Sequence, residues 1–71
     1  MSNVRVHCGN NRHQAGSRRS NVVAVVGTLA PVARRDQVEL ILASSGVIKD
    51  DAVDGWVTWL IENGYLEIIN G

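Results

Sequence analysis

Phenylalanine is absent from this chain of 71 residues, and cysteine, proline and tyrosine occur once each. A single cysteine, Cys8, cannot make an internal disulfide, so no covalent cross-link holds the fold together. The first residues lack the long apolar run that a signal peptide or membrane helix requires, and a reducing, cytoplasmic setting is expected. There is no glycine loop to cradle a phosphate, and a structural zinc site needs four ligands where only His7, Cys8 and His13 are on offer. Neither a metal nor another cofactor is expected. Cys8 and His13 lack the rigidly held base and orienter that nucleophilic catalysis needs. Asp50, Asp51 and Asp54 read as helix-start acids and solvated charges, not as a catalytic pair. With no catalytic signature, the chain is not expected to be an enzyme.

Acids are missing from the first 35 residues, which carry Arg5, Arg12, Arg18, Arg19, Arg34 and Arg35. From Asp36 onward there are seven acids and one base, Lys49, so the net charge of zero conceals a basic half and an acidic half. That division suggests a basic arm able to touch nucleic acid or acidic protein, carried by an acidic body. A solubilising arm, or one that lies against its own domain, is the plainer alternative. No aromatic residue is interleaved with the arginines, so stacking on single-stranded bases is not indicated.

What is present is a set of apolar periodicities in one small domain. A core of this size supplies only about 3–5 kcal/mol of net stability. Met1 to Ser20 is rich in Asn, Gly, Ser, Arg and His and reads as a mostly disordered basic arm, which leaves residues 21–71 as the domain. Its one apolar alternation, Val4 and Val6, leaves open a short strand paired with the carboxy-terminal YLEII. Ser20 can cap a helix marked by Val22, Val25, Val26 and Leu29, although the β-branched run NVVAVV also suits a strand. Pro31 to Arg35 reads as a linker or first turn. Asp36 and Glu39 form a capping-type pair ahead of a helix with Val38, Ile41 and Leu42 on one face, stopped by Ser44, Ser45 and Gly46.

The stretch from Asp50 to Asn70 organises the rest. Val53, Trp56, Val57 and Leu60 follow the i, i+3, i+4, i+7 spacing of a helix with one buried face, and Asp50 or Asp51 can cap it. Asn63 and Gly64 end it, and Tyr65, Leu66, Ile68 and Ile69 have the aromatic and β-branched character of a strand. The fold class expected is therefore mainly α with a short β element, three helices in all.

The run DQVELILASSGVIKDDAVDGWVTWLIENGYLEI, closing on V-x-x-L-I-E-N-G-Y-L, resembles the winged-helix branch of the helix-turn-helix superfamily over Asn21 to Ile69. The resemblance implies a winged-helix-like three-helix domain in which Asp50 to Asn63 occupies the place of a recognition helix leading into a wing. Its exposed face would show Asp51, Asp54, Gly55, Thr58 and Glu62. Carboxylates there depart from the Arg, Lys, Asn and Gln with which such helices reach bases and phosphates. The expectation is instead a protein-binding surface of Asp51, Asp54, Thr58, Trp59 and Glu62. Trp59 sits on the flank of the helix, where it is either partly exposed to a partner or packed under Tyr65 and the wing. The implied role is transcription regulation by protein contact, for example with RNA polymerase or another regulator, as in small phage proteins. The alternative is a DNA-binding regulator in which Arg5, Arg12, Arg18, Arg19, Arg34 and Arg35 neutralise phosphates.

Overall fold

A computed structural model of the protein describes residues 3–9 and 11–69. Met1, Ser2 and Asn10 of the expected arm, and Asn70 of the organising stretch, lie outside the described residues. The elements run β1 (Asn3–Val6), α1 (Arg18–Val26), β2 (Val32–Arg34), α2 (Arg35–Ser45), α3 (Val53–Glu62) and β3 (Leu66–Ile69). One 3₁₀ turn, Asp50–Ala52, precedes α3. Three helices pack on a three-stranded antiparallel sheet of order β2-β1-β3, which makes this a small α+β domain. No helix among the described residues is long and apolar enough to cross a membrane.

The largest departure from the sequence reading lies at the amino terminus. Asn3–Val6, expected within a disordered arm, is the central strand of the sheet: Val4 faces Ala33 on one side and Ile68 on the other. The short VRV strand left open as an alternative is thus realised, and its partner is the carboxy-terminal strand, Val6 standing opposite Leu66. Val4 is 0 % exposed, because it is pinned in the middle of the sheet beneath the helices. Composition cannot reveal that, since two apolar residues offset their ordering entropy only when neighbouring strands bury them.

Residues 18–26 resolve as helix rather than strand, with Val22, Val23 and Val26 buried. The helix begins earlier than expected: Ser17, not Ser20, is the cap, and its Oγ accepts from the Ser20 N–H at 3.2 Å. The expected linker over Pro31 to Arg35 contains β2 instead. Asp36 and Glu39 do not cap α2; Arg34 holds the N-cap place, and Gln37 Oε1 accepts from the Arg34 N–H at 2.9 Å. Val38 and Leu42 are buried, while Ile41 is half-buried. Gly46, with φ +76°, and Gly64, with φ +80°, stop α2 and α3 in the left-handed region that β-carbon sterics deny to other residues.

Neither Asp50 nor Asp51 caps α3 through its side chain. The 3₁₀ turn supplies the first backbone bonds, from the Ala52 N–H to the Lys49 carbonyl at 3.0 Å and from the Val53 N–H to the Asp50 carbonyl. Val53, Val57 and Leu60 are the buried face of α3, with Trp56 only half-buried at its margin. They join Val4, Val22, Leu42 and Leu66 in one core cluster. At roughly 25 cal/mol per Å² of apolar surface removed from water, each such side chain contributes about 1.5–3 kcal/mol toward the entropy of ordering the chain.

Candidate protein-interaction surface

One stripe of α3 and its preceding turn is built from Asp51, Asp54, Thr58 and Glu62, spaced three or four residues apart and all exposed. They share this side because Val53, Val57 and Leu60 take the opposite one. The ion pairs among the described residues use other acids: Glu67 with Arg5 at 3.9 Å, Asp36 with Arg34 at 3.5 Å, and Glu39 with Arg35 at 3.6 Å, with His7 hydrogen-bonded to Glu67 at 3.0 Å. Asp51, Asp54 and Glu62 take part in no ion pair among the described residues and form an exposed acidic stripe.

Trp59 flanks that stripe and is half-buried. Its ring centroid lies 5.3 Å from Trp56 in an edge-on arrangement, 5.8 Å from Tyr65 and 5.2 Å from His13. Of the two roles weighed for Trp59, packing beside Tyr65 is therefore the one the geometry displays, and the tryptophan anchors an aromatic cluster while keeping part of its ring at the surface. His13 joins from the segment ahead of α1, a placement with no sequence signal, because the contact spans 46 positions of chain. Tyr65 is 3 % exposed and its Oη has no hydrogen-bond partner among the described residues, which makes the phenol an electrostatic cost in an otherwise apolar site.

Between α1 and α3 lies a groove of about 330 Å³ lined by Arg19, Asp51, Ala52, Gly55, Trp56 and Trp59. Gly55, expected on the exposed face of the helix but not among its binding residues, lines this groove. It stands inside α3, where glycine costs about 1 kcal/mol relative to alanine, yet a β-carbon at this position would meet nothing within 4 Å. Packing does not demand it. What its bare backbone does is leave the floor of the groove open between the acidic stripe and the two tryptophans.

The six arginines divide into two sets. Arg5, Arg34 and Arg35 are held in the ion pairs above, whereas Arg12, Arg18 and Arg19 form none among the described residues. Arg18 and Arg19 open α1, whose first turn contains no acid, so two cations face the positive end of that helix dipole. Arg19 then reaches the groove beside Asp51, so part of the basic half lies against the acidic half instead of trailing away from it.

The soft side chains are engaged separately. His7 Nε2 meets Glu67 Oε1 at 3.0 Å, His13 stacks with the aromatics, and Cys8 Sγ donates to the Tyr65 carbonyl at 3.7 Å. Burial pushes the Cys8 thiol up to about 11, which keeps it protonated at neutral pH and poorly nucleophilic. Among the described residues no three His, Cys, Asp or Glu side chains converge closely enough to hold a metal ion. No family model, curated protein or solved structure matches the chain.

Proposed function

We propose that this chain is a non-enzymatic, small regulatory protein that acts mainly by protein–protein contact through the exposed face of α3 and the strand that follows it. The observation that carries the reading is the acidic stripe of Asp51, Asp54 and Glu62, none of which has an ion-pair partner among the described residues, beside the partly exposed Trp59. Unpaired like charges along a helix are mutually repulsive, and a basic partner surface would relieve that repulsion. The order α2, tight turn, α3, β3 supports a winged-helix-like domain, and with it a partner in the transcription machinery, RNA polymerase or another regulator. In that arrangement α3 stands where a recognition helix would, but it offers carboxylates where phosphates would repel them.

Charge reversal is a cleaner test than removing Trp59, because the tryptophan also holds the aromatic cluster together. Immobilised wild-type chain should retain a partner with a basic surface, purified core RNA polymerase being the first to titrate. Asp54→Arg combined with Glu62→Arg should lower that retention at least roughly tenfold while the chain stays folded, the exposed pair costing at most about 1 kcal/mol of stability through the lost first-turn acid Asp54. Equal retention by the variant would sink the reading.

A second reading has its own observation. Among the described residues Arg12, Arg18 and Arg19 are the arginines outside the ion pairs, and two of them occupy a helix start where they are electrostatically unfavourable. As a DNA-binding regulator the protein would use these three in place of all six. Affinity for duplex DNA would then fall steeply between two salt concentrations, and flat, salt-insensitive binding would exclude the idea.

A further inference from the structure

The two edges of the sheet differ in what they leave unpaired. Along an antiparallel strand the backbone N–H and C=O groups point alternately to the two neighbours, so one hydrogen bond sets the phase of the whole ladder. The His7 N–H donates to the Tyr65 carbonyl at 2.8 Å. In the register that pairs Arg5 with Glu67 and Asn3 with Ile69, these residues turn their backbone groups toward one another. Leu66 and Ile68, set between them, turn theirs away from β1 to the open edge, where no partner lies among the described residues.

On the far side, β2 is nearly closed. It is three residues long, and of its two outward-facing residues, Val32 and Arg34, the Arg34 N–H already donates to Gln37 Oε1 at 2.9 Å, so only Val32 offers free backbone groups there. β3 carries no proline, lysine or bulge. Its Ile68 is 46 % exposed although it stands opposite the fully buried Val4, and beside it runs a groove of about 650 Å³ lined by His7, Ile61, Gly64, Leu66, Glu67 and Ile68.

We infer that β3 is a strand-addition edge and that its occupant is β3 of a second copy of this chain, the two sheets joining about a two-fold axis into one antiparallel sheet of six strands. The patch is self-complementary. Antiparallel pairing of Leu66 with Ile68 of the second copy, and the reverse, sets the outward backbone groups of both chains against each other and keeps both side chains on the helix-covered face. Each copy's Ile68 then covers the groove of the other. Glu67 falls opposite its own counterpart, yet each carboxylate is already paired with Arg5 of its own β1 and within hydrogen-bond distance of His7 just beyond that strand, and a chain of net charge zero adds no long-range repulsion. Because β2, at three residues with the Arg34 N–H engaged, is too short to add a strand as β3 does, growth ends at the dimer.

This association is independent of the α3 surface. Sedimentation equilibrium on the full chain from roughly 10 µM to 1 mM should show a concentration-dependent rise from 7.7 kDa toward twice that mass, as expected for a small, weak interface. Ile68→Lys should shift the midpoint at least roughly tenfold to higher concentration while the melting temperature holds, and Asp54→Arg should dimerise like the wild type. Hydrogen exchange supplies the signature of strand pairing: the Leu66 and Ile68 amides gain protection as concentration rises, whereas the Glu67 and Ile69 amides are protected throughout. A monomer at every concentration overturns the inference. A dimer unaffected by Ile68→Lys, or one without the alternating protection, overturns it equally.

Discussion

Cys8, Tyr65 and Gly55 each hold a position that works against ordinary residue preference. For Cys8 the cause is desolvation: its neutral thiol is favoured in the fold, with the pKa raised from 9.0 to about 11. The sign follows directly. Below pH 9 the thiol is protonated in both the folded and the unfolded chain, so its full contribution to stability is present. As pH rises from 9 toward 11, the unfolded chain releases its proton first and stability falls. At neutral pH the folded protein holds roughly a hundredfold less thiolate than an ordinary cysteine, so iodoacetamide should label native Cys8 very slowly and the denatured chain at the usual rate. Labelling of the native chain at the denatured rate would show the site to be solvated. Gly55→Ala is expected to stabilise the protein by about 0.5–1 kcal/mol in chemical denaturation, since the helix gains and no neighbour is crowded.

At the scale of elements, α1 and α3 differ in how their charges meet the helix dipole. α3 has Asp54 in its first turn, preceded by Asp50 and Asp51 in the 3₁₀ turn, in keeping with the dipole. α1 opens with Arg18 and Arg19, in conflict with it. Reversing both, as Arg18→Glu and Arg19→Glu, should raise stability by about 0.3–1 kcal/mol through the Arg18 site at low ionic strength, an effect that salt diminishes. The Arg19 change gains less, because it sets a second carboxylate beside Asp51. The same double variant should abolish any salt-dependent DNA affinity. Stability and binding would then change in opposite directions, which is how a site kept for function at some structural cost behaves.

For the whole molecule, β1 decides whether the domain folds. It lies between the other two strands, it carries Val4 at the centre of the core, and both sheet ladders run through it. Removing residues 1–6 would expose the inner edges of β2 and β3 together. Because a domain of this size holds only about 3–5 kcal/mol in reserve, the truncated chain is expected to be unfolded by circular dichroism. A truncated chain that melted cooperatively near the wild-type temperature would show the helices to be self-sufficient.

How far the sequence could be read depended on whether a signal was local. The periodicity of Val53, Val57 and Leu60, the stops at Gly46 and Gly64, and the acids of the α3 stripe are set by residues within a turn or two of one another, and all were legible. The helix over Arg18–Val26 was only half legible: its valines left helix and strand both open, and burial of one face, which outweighs a small intrinsic preference, decides for the helix. Other features exist only through contacts between distant parts of the chain. Val4 next to Ile68, His13 on Trp59 and Arg19 beside Asp51 each join segments that no local pattern relates. The sequence by itself determined α2 and α3, the main residues of their buried faces and the division of charge. Tertiary structure alone decided that a polar, arginine-containing beginning becomes the central strand, since a strand's stability comes from neighbours on both sides and not from its own residues.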